Sequence, residues 1–139
     1  MKILTDTNIL LDVLTKREPH YLYASKIWTF IRDGMLQGYI SAISVNNLYY
    51  IIKKIQNQSI AEAFVDQLLS DFDVIPLTKE ILRQARTKKT RDYEDLIQYF
   101  SAIHEGCEFI ITRNKKDFPR IGIKILSPFE FLKMLGKHK

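Results

Sequence analysis

The chain has 139 residues, 46% of them hydrophobic and 27% charged, which suits one domain with its own core and excludes a disordered or fibrous protein. No stretch approaches the ~18 consecutive apolar residues of a membrane span, and the first residues lack the layout of a secretory signal, so a cytoplasmic protein without a membrane partner is expected. The formal charge of +5 is lopsided, with 8 basic and 9 acidic side chains in residues 1–82 against 13 and 7 in residues 83–139, and this leaves open both a polyanionic partner and a solvated basic face.

Lys2–Thr5 reads as a short buried strand, and Thr7–Thr15 follows with Ile9, Leu10, Val13 and Leu14 at the spacing of one helical face. Pro19 suits the first turn of a second helix reaching residue 33, with Leu22, Tyr23, Ile27, Phe30 and Ile31 inward and Gly34 near its end. Gly38 punctuates a short strand over residues 39–41, and Ser44 and Ser59 are placed to cap two further helices. Residues 72–76 are briefly extended, Thr78 opens another helix, and five basic residues crowd into positions 83–91. Residues 92–105 form a strong helix with Leu96, Ile97, Phe100 and Ile103 on its apolar side and Gly106 at its end. Residues 107–112, with the lone Cys107 as a small hydrophobe, read as a buried strand and residues 123–126 as a shorter one; Ser127 and Pro128 start a last helix. Short strands alternating with helices imply parallel pairing through crossovers, hence a single-domain three-layer α/β/α sandwich around a short central parallel sheet.

Three acids stand out on that topology. Asp6 follows the first strand, Asp117 lies in Thr112-Arg113-Asn114-Lys115-Lys116-Asp117-Phe118 after another, and Asp95 comes early in the helix that starts beside them. In an open parallel sheet such strand ends share a crevice. Carboxylates gathered there repel one another unless a cation neutralises them, and Mg²⁺ or Mn²⁺ is the natural choice because it takes oxygen ligands and suits phosphate chemistry.

The segments Asp6-Thr7-Asn8-Ile9-Leu10-Leu11-Asp12, Asp92-Tyr93-Glu94-Asp95-Leu96 and Ile111-Thr112-Arg113-Asn114-Lys115-Lys116-Asp117-Phe118 together resemble the PIN domain, the nuclease fold of the VapC-type toxins of bacterial toxin–antitoxin pairs. The resemblance spans nearly the whole chain. It implies a metal-dependent endoribonuclease in which Asp6, Asp95 and Asp117 are catalytic and bind the ion or ions, while Thr112 and Asn114 shape the site. It also implies a small antitoxin as partner and a homodimer. One position departs from the pattern: Asn47, in Ser44-Val45-Asn46-Asn47-Leu48, stands where such domains carry a further acid. An amide offers an oxygen but no charge, so weaker metal binding and low activity are expected. A degenerate module that binds RNA or protein without cleaving is the alternative. Glu94 compensates only if its helix turns it toward the crest.

Each acid also has a plainer reading. Asp6 alone would serve as a helix cap, Asp95 as a first-turn acid on the helix dipole, and Asp117 as part of an Asp-Phe-Pro turn. Asp12 reads as a surface or late-helix residue, with support of the site from behind Asp6 as the alternative. Lys88, Lys89 and Arg91, with Arg113, Lys115 and Lys116, flank the acids and are the expected contacts for RNA phosphates. Tyr49, Tyr50, Tyr93, Tyr99 and Trp28 are mostly core residues by expectation, and His20, His104 and His138 show no spacing for zinc. A receiver-like phosphoacceptor domain would need an acid pair near the first strand, which is missing.

Overall fold

The structure, a computed structural model, describes residues 1–88 and 92–137. Lys89 and Arg91, two of the expected phosphate contacts, and His138 lie outside the described residues. The elements run β1 (Lys2–Thr5), α1 (Thr7–Thr15), α2 (Tyr21–Arg32), β2 (Gln37–Ser41), α3 (Ala42–Ile55), α4 (Gln58–Asp71), β3 (Asp73–Ile75), α5 (Lys79–Arg86), α6 (Tyr93–Glu105), β4 (Phe109–Ile111), a 3-10 turn (Lys115–Asp117), β5 (Lys124–Leu126) and α7 (Pro128–Lys137). The five strands pair in parallel in the order β3-β2-β1-β4-β5, the expected α/β/α sandwich. No described helix is long and apolar enough to cross a membrane.

Alternation along the strands sorts the core into two layers. Ile3, Ile40, Phe109 and Ile111 face α1, α2, α3, α4 and α7 through Leu10, Ile27, Leu48, Phe64 and Phe131. Leu4, Tyr39, Ile75 and Ile110 face the other way, onto Tyr99 and Ala102 of α6, where Ile81 and Ala85 of α5 pack on Leu96 and Ile97. Both faces of the sheet are covered, which is why its strands read as apolar runs. The chain leaves β1 for β2 on one side and returns to β4 on the other, so strand order reverses at β1. That reversal opens a crevice beyond the carboxyl ends of β1 and β4.

Several boundaries differ from the sequence reading. Residues 18–20 form a turn and α2 starts at Tyr21. Its inward stripe is Ala24, Ile27, Trp28 and Ile31, leaving Leu22 60% and Tyr23 43% exposed; the helix is rotated so that Trp28 stacks edge-on against Phe64 and Phe72 and donates its indole N–H to Asp71. Ser41, not Ser44, caps α3, because β2 runs into the helix without a loop and the last strand residue does the capping. Asn57 caps α4 in place of Ser59, its Oδ1 accepting from the Ile60 amide at 2.9 Å. Gly38 lies inside β2, where an added Cβ would stand 2.6 Å from Ile31 Cδ1; there it lets α2 approach the sheet closely.

Candidate active site

Asp6 is the first residue after β1, and its backbone amide extends the ladder to Ile111 O at 3.0 Å. It precedes α1 in extended backbone, yet its side chain makes no capping bond, so the plain helix-cap reading fails. The carboxylate is 3% exposed and both oxygens are held. Oδ1 accepts from Gln98 Nε2 at 3.0 Å and Oδ2 from Thr112 Oγ1 at 2.8 Å. Thr112 Oγ1 in turn accepts from the Asn114 amide at 3.0 Å, which directs the hydroxyl proton toward Asp6. Burial raises the Asp6 pKa, the bonds from Gln98 and Thr112 oppose the rise, and the Glu94 charge adds to it.

Gln98 was not singled out from the sequence, although it is fully buried. Besides donating to Asp6, its Oε1 accepts from the Thr7 amide at 3.3 Å and from Ser44 Oγ at 3.5 Å. Ser44, released from capping duty, also shares a 2.7 Å bond with Thr7 Oγ1. A polar network thus runs beneath the acids through α1, α3 and α6. The signal for it was a polar side chain inside an apolar helical run, one turn beyond Asp95 and on the same face.

Asp95 sits half-buried in the first turn of α6. Capping is done by Asp92, whose Oδ1 accepts from the Asp95 amide at 3.1 Å, so the Asp95 side chain is not needed for that purpose. Burial first, and then the charges of Asp6, Asp92, Asp117 and Glu94, push its carboxyl up to about 7. Asp117 closes the 3-10 turn after β4, its amide bonded to Asn114 O at 3.0 Å, and is half-buried. The Asp95 carboxyl therefore feels the charges of both Asp6 and Asp117. Among the described residues, no three His, Cys, Asp or Glu side chains form a ready-made metal cage. The donors fit a hard divalent ion in kind: all are oxygens, and the excess negative charge that opposes ionisation of Asp95 is what such an ion relieves. Asn47 lies in the second turn of α3, half-buried.

Asp12 corrects the surface reading. It is 2% exposed and pairs with Arg113, whose Nε and Nη2 reach the two carboxylate oxygens at 2.7 and 3.2 Å. Lys115 pairs with Glu130 at 2.9 Å. Both cations thus have protein partners. Lys88 and Lys116 are exposed. Trp28 and Tyr99 are core residues, while Tyr50 and Tyr93 face outward. The Cys107 thiol is buried, which with the Glu105 charge pushes it up to about 12.

A family profile described as a PIN domain matches residues 2–116. The chain belongs to the PIN domain family. Over 135 residues this PIN domain is 25% identical to Ribonuclease VapC1 of Aquifex aeolicus (strain VF5), covering 94% of this chain and 92% of that protein. A toxin–antitoxin complex from Klebsiella pneumoniae contains a chain of 26% identity that superposes with a TM-score of 0.68, over 92% of this chain and 98% of the other. VapBC-1 from nontypeable Haemophilus influenzae gives a TM-score of 0.70 at 20% identity, over 93% and 99%.

Proposed function

We propose that this PIN domain is a metal-dependent endoribonuclease and the toxin of a toxin–antitoxin pair. The observation that carries the reading is the buried Asp6 carboxylate, fixed by Gln98 and Thr112 at the switch point of the sheet, with the charges of Asp95 and Asp117 converging on the same crevice. Similarity to Ribonuclease VapC1 supports RNA as the substrate, and the Klebsiella complex supports a small antitoxin as partner. A homodimer is part of the same reading.

Asp6, Asp95 and Asp117 would hold Mg²⁺ or Mn²⁺. When bound, the ion supplies Lewis-acid polarisation of a phosphoryl oxygen and eases proton loss from water. The chain's own residues do the rest. Gln98 and Thr112 fix the orientation of Asp6, so this carboxylate needs no reorganisation on binding. Burial and the neighbouring carboxylates push the Asp95 carboxyl up to about 7, and an ion held there would favour its ionised form. Exposed Lys88 and Lys116 attract RNA phosphates toward the crest.

Incubating the protein with a mixed RNA pool tests this. Cleavage is expected with Mg²⁺ or Mn²⁺, lost on chelation and reduced to background in Asp6→Asn and Asp95→Asn. RNA affinity without cleavage under any divalent ion would favour the non-cleaving module that Asn47 leaves open.

A further inference from the structure

Arg113 directly follows Thr112, the residue that holds Asp6, and its side chain lines a second depression. This pocket, of about 210 Å³, is shared with His20, Tyr23, Pro128 and Phe129. Its walls are the segments that follow β4 and β5 and the start of α2. Because β1, β4 and β5 run parallel, it lies at the same end of the sheet as Asp6. Tyr23 is 43% exposed, and Phe129, in the first turn of α7, is 52% exposed. Their rings meet edge to face with centroids 5.4 Å apart instead of joining the core. Arg113 supplies a third plane. Its Nε and Nη2 donate to the two oxygens of the buried Asp12, which fixes the guanidinium before any ligand arrives, and the side chain remains 20% exposed.

That pairing decides what the pocket suits. A phosphate gains little from a cation whose charge Asp12 already opposes, whereas a planar uncharged ring still stacks on a fixed guanidinium and on aromatic faces. The volume admits one base and excludes a partner helix about 10–12 Å across. We propose that this pocket receives an unpaired base of the RNA strand whose backbone crosses the acidic crevice, with Tyr23, Phe129 and Arg113 as the surfaces it meets. The proposal rests on the ribonuclease reading above. It makes single-stranded RNA the preferred substrate, because a paired base leaves its stack only at a cost.

The test is abasic scanning of a short single-stranded RNA that the parent chain cleaves at one bond. Binding is measured by fluorescence anisotropy on the full chain carrying Asp95→Asn, with one nucleotide at a time lacking its base. Removing the base at one position is expected to weaken binding about tenfold. Phe129→Ala and Tyr23→Ala, introduced separately, are expected to weaken binding of the intact RNA about tenfold and to abolish the penalty at that position, as groups in contact do. Phe129→Leu keeps apolar bulk without the ring and is expected to match Phe129→Ala, at the parent's melting temperature. Variants that keep the parent's abasic profile, whether their affinity is unchanged or uniformly lowered, overturn the base pocket, while cleavage by the parent leaves the ribonuclease reading standing. A shift from dimer to monomer in sedimentation, with that profile kept, gives the face to a second copy and likewise overturns it. Failure of the parent chain to cleave any RNA overturns both.

Discussion

The fold opposes the ionisation of Asp95. Its carboxyl is pushed from 3.8 to about 7 by burial and by four surrounding carboxylates. In the metal-free protein the folded state therefore holds a proton that the unfolded chain has already released between those two values. Stability must fall as pH rises through that window, the loss being absent below about 4 and complete above about 7. Asp95→Asn removes the titrating group, so in chelator its melting temperature should exceed that of the parent at about pH 8 and converge with it at about pH 4. Thermal melts across the pH series check this, and parallel curves for the two proteins would count against it. Asp6, Asp95 and Asp117 stood out in the sequence because two of them follow apolar strands and the third opens the helix beside them. Gln98 did not, since a lone amide in an apolar run gains meaning only when the sheet brings α6 over Asp6. Glu94 was legible only as a condition, because adjacency to Asp95 does not fix the direction of a side chain.

Between elements, a buried ion pair near the site joins the last turn of α1 to the turn after β4. Arg113 grips Asp12 with two nitrogens, and the carboxylate is 2% exposed. Removing one partner of such a pair leaves an uncompensated buried charge. Arg113→Ala should therefore cost roughly 3 kcal/mol in urea denaturation, and adding Asp12→Asn should recover most of that loss. A cost under about 1 kcal/mol would reduce the pair to the worth of an exposed surface bridge. The partners lie 101 positions apart, so nothing local in the sequence announced that Asp12 would be buried. Helices were readable from their apolar spacing, and α6 even from its Asp92 cap and left-handed Gly106. Their starting points were less so: Ser41 and Ser44 both make sound caps, and the length of β2 decides between them.

Across the whole molecule, the positive charge is concentrated in residues 83–139, the part that also supplies Asp95, Thr112 and Asp117. A phosphate chain approaching the acidic crevice is repelled by the carboxylates, so basic groups around it must offset that repulsion. Arg113 and Lys115 have their charges opposed by Asp12 and Glu130. Lys88 and Lys116, on either side of Asp95 in sequence, are exposed. Each lysine that neutralises a phosphate of single-stranded RNA adds about 0.7 to the slope of log affinity against log salt. Measured by fluorescence anisotropy on the cleavage-deficient Asp95→Asn protein, Lys88→Ala and Lys116→Ala should each flatten that slope by about 0.7. The charge-balanced exchange of Lys115→Ala with Glu130→Gln should leave it in place, because the local charge is unchanged. Unaltered slopes for both lysine variants would mean that RNA reaches the crevice by another path.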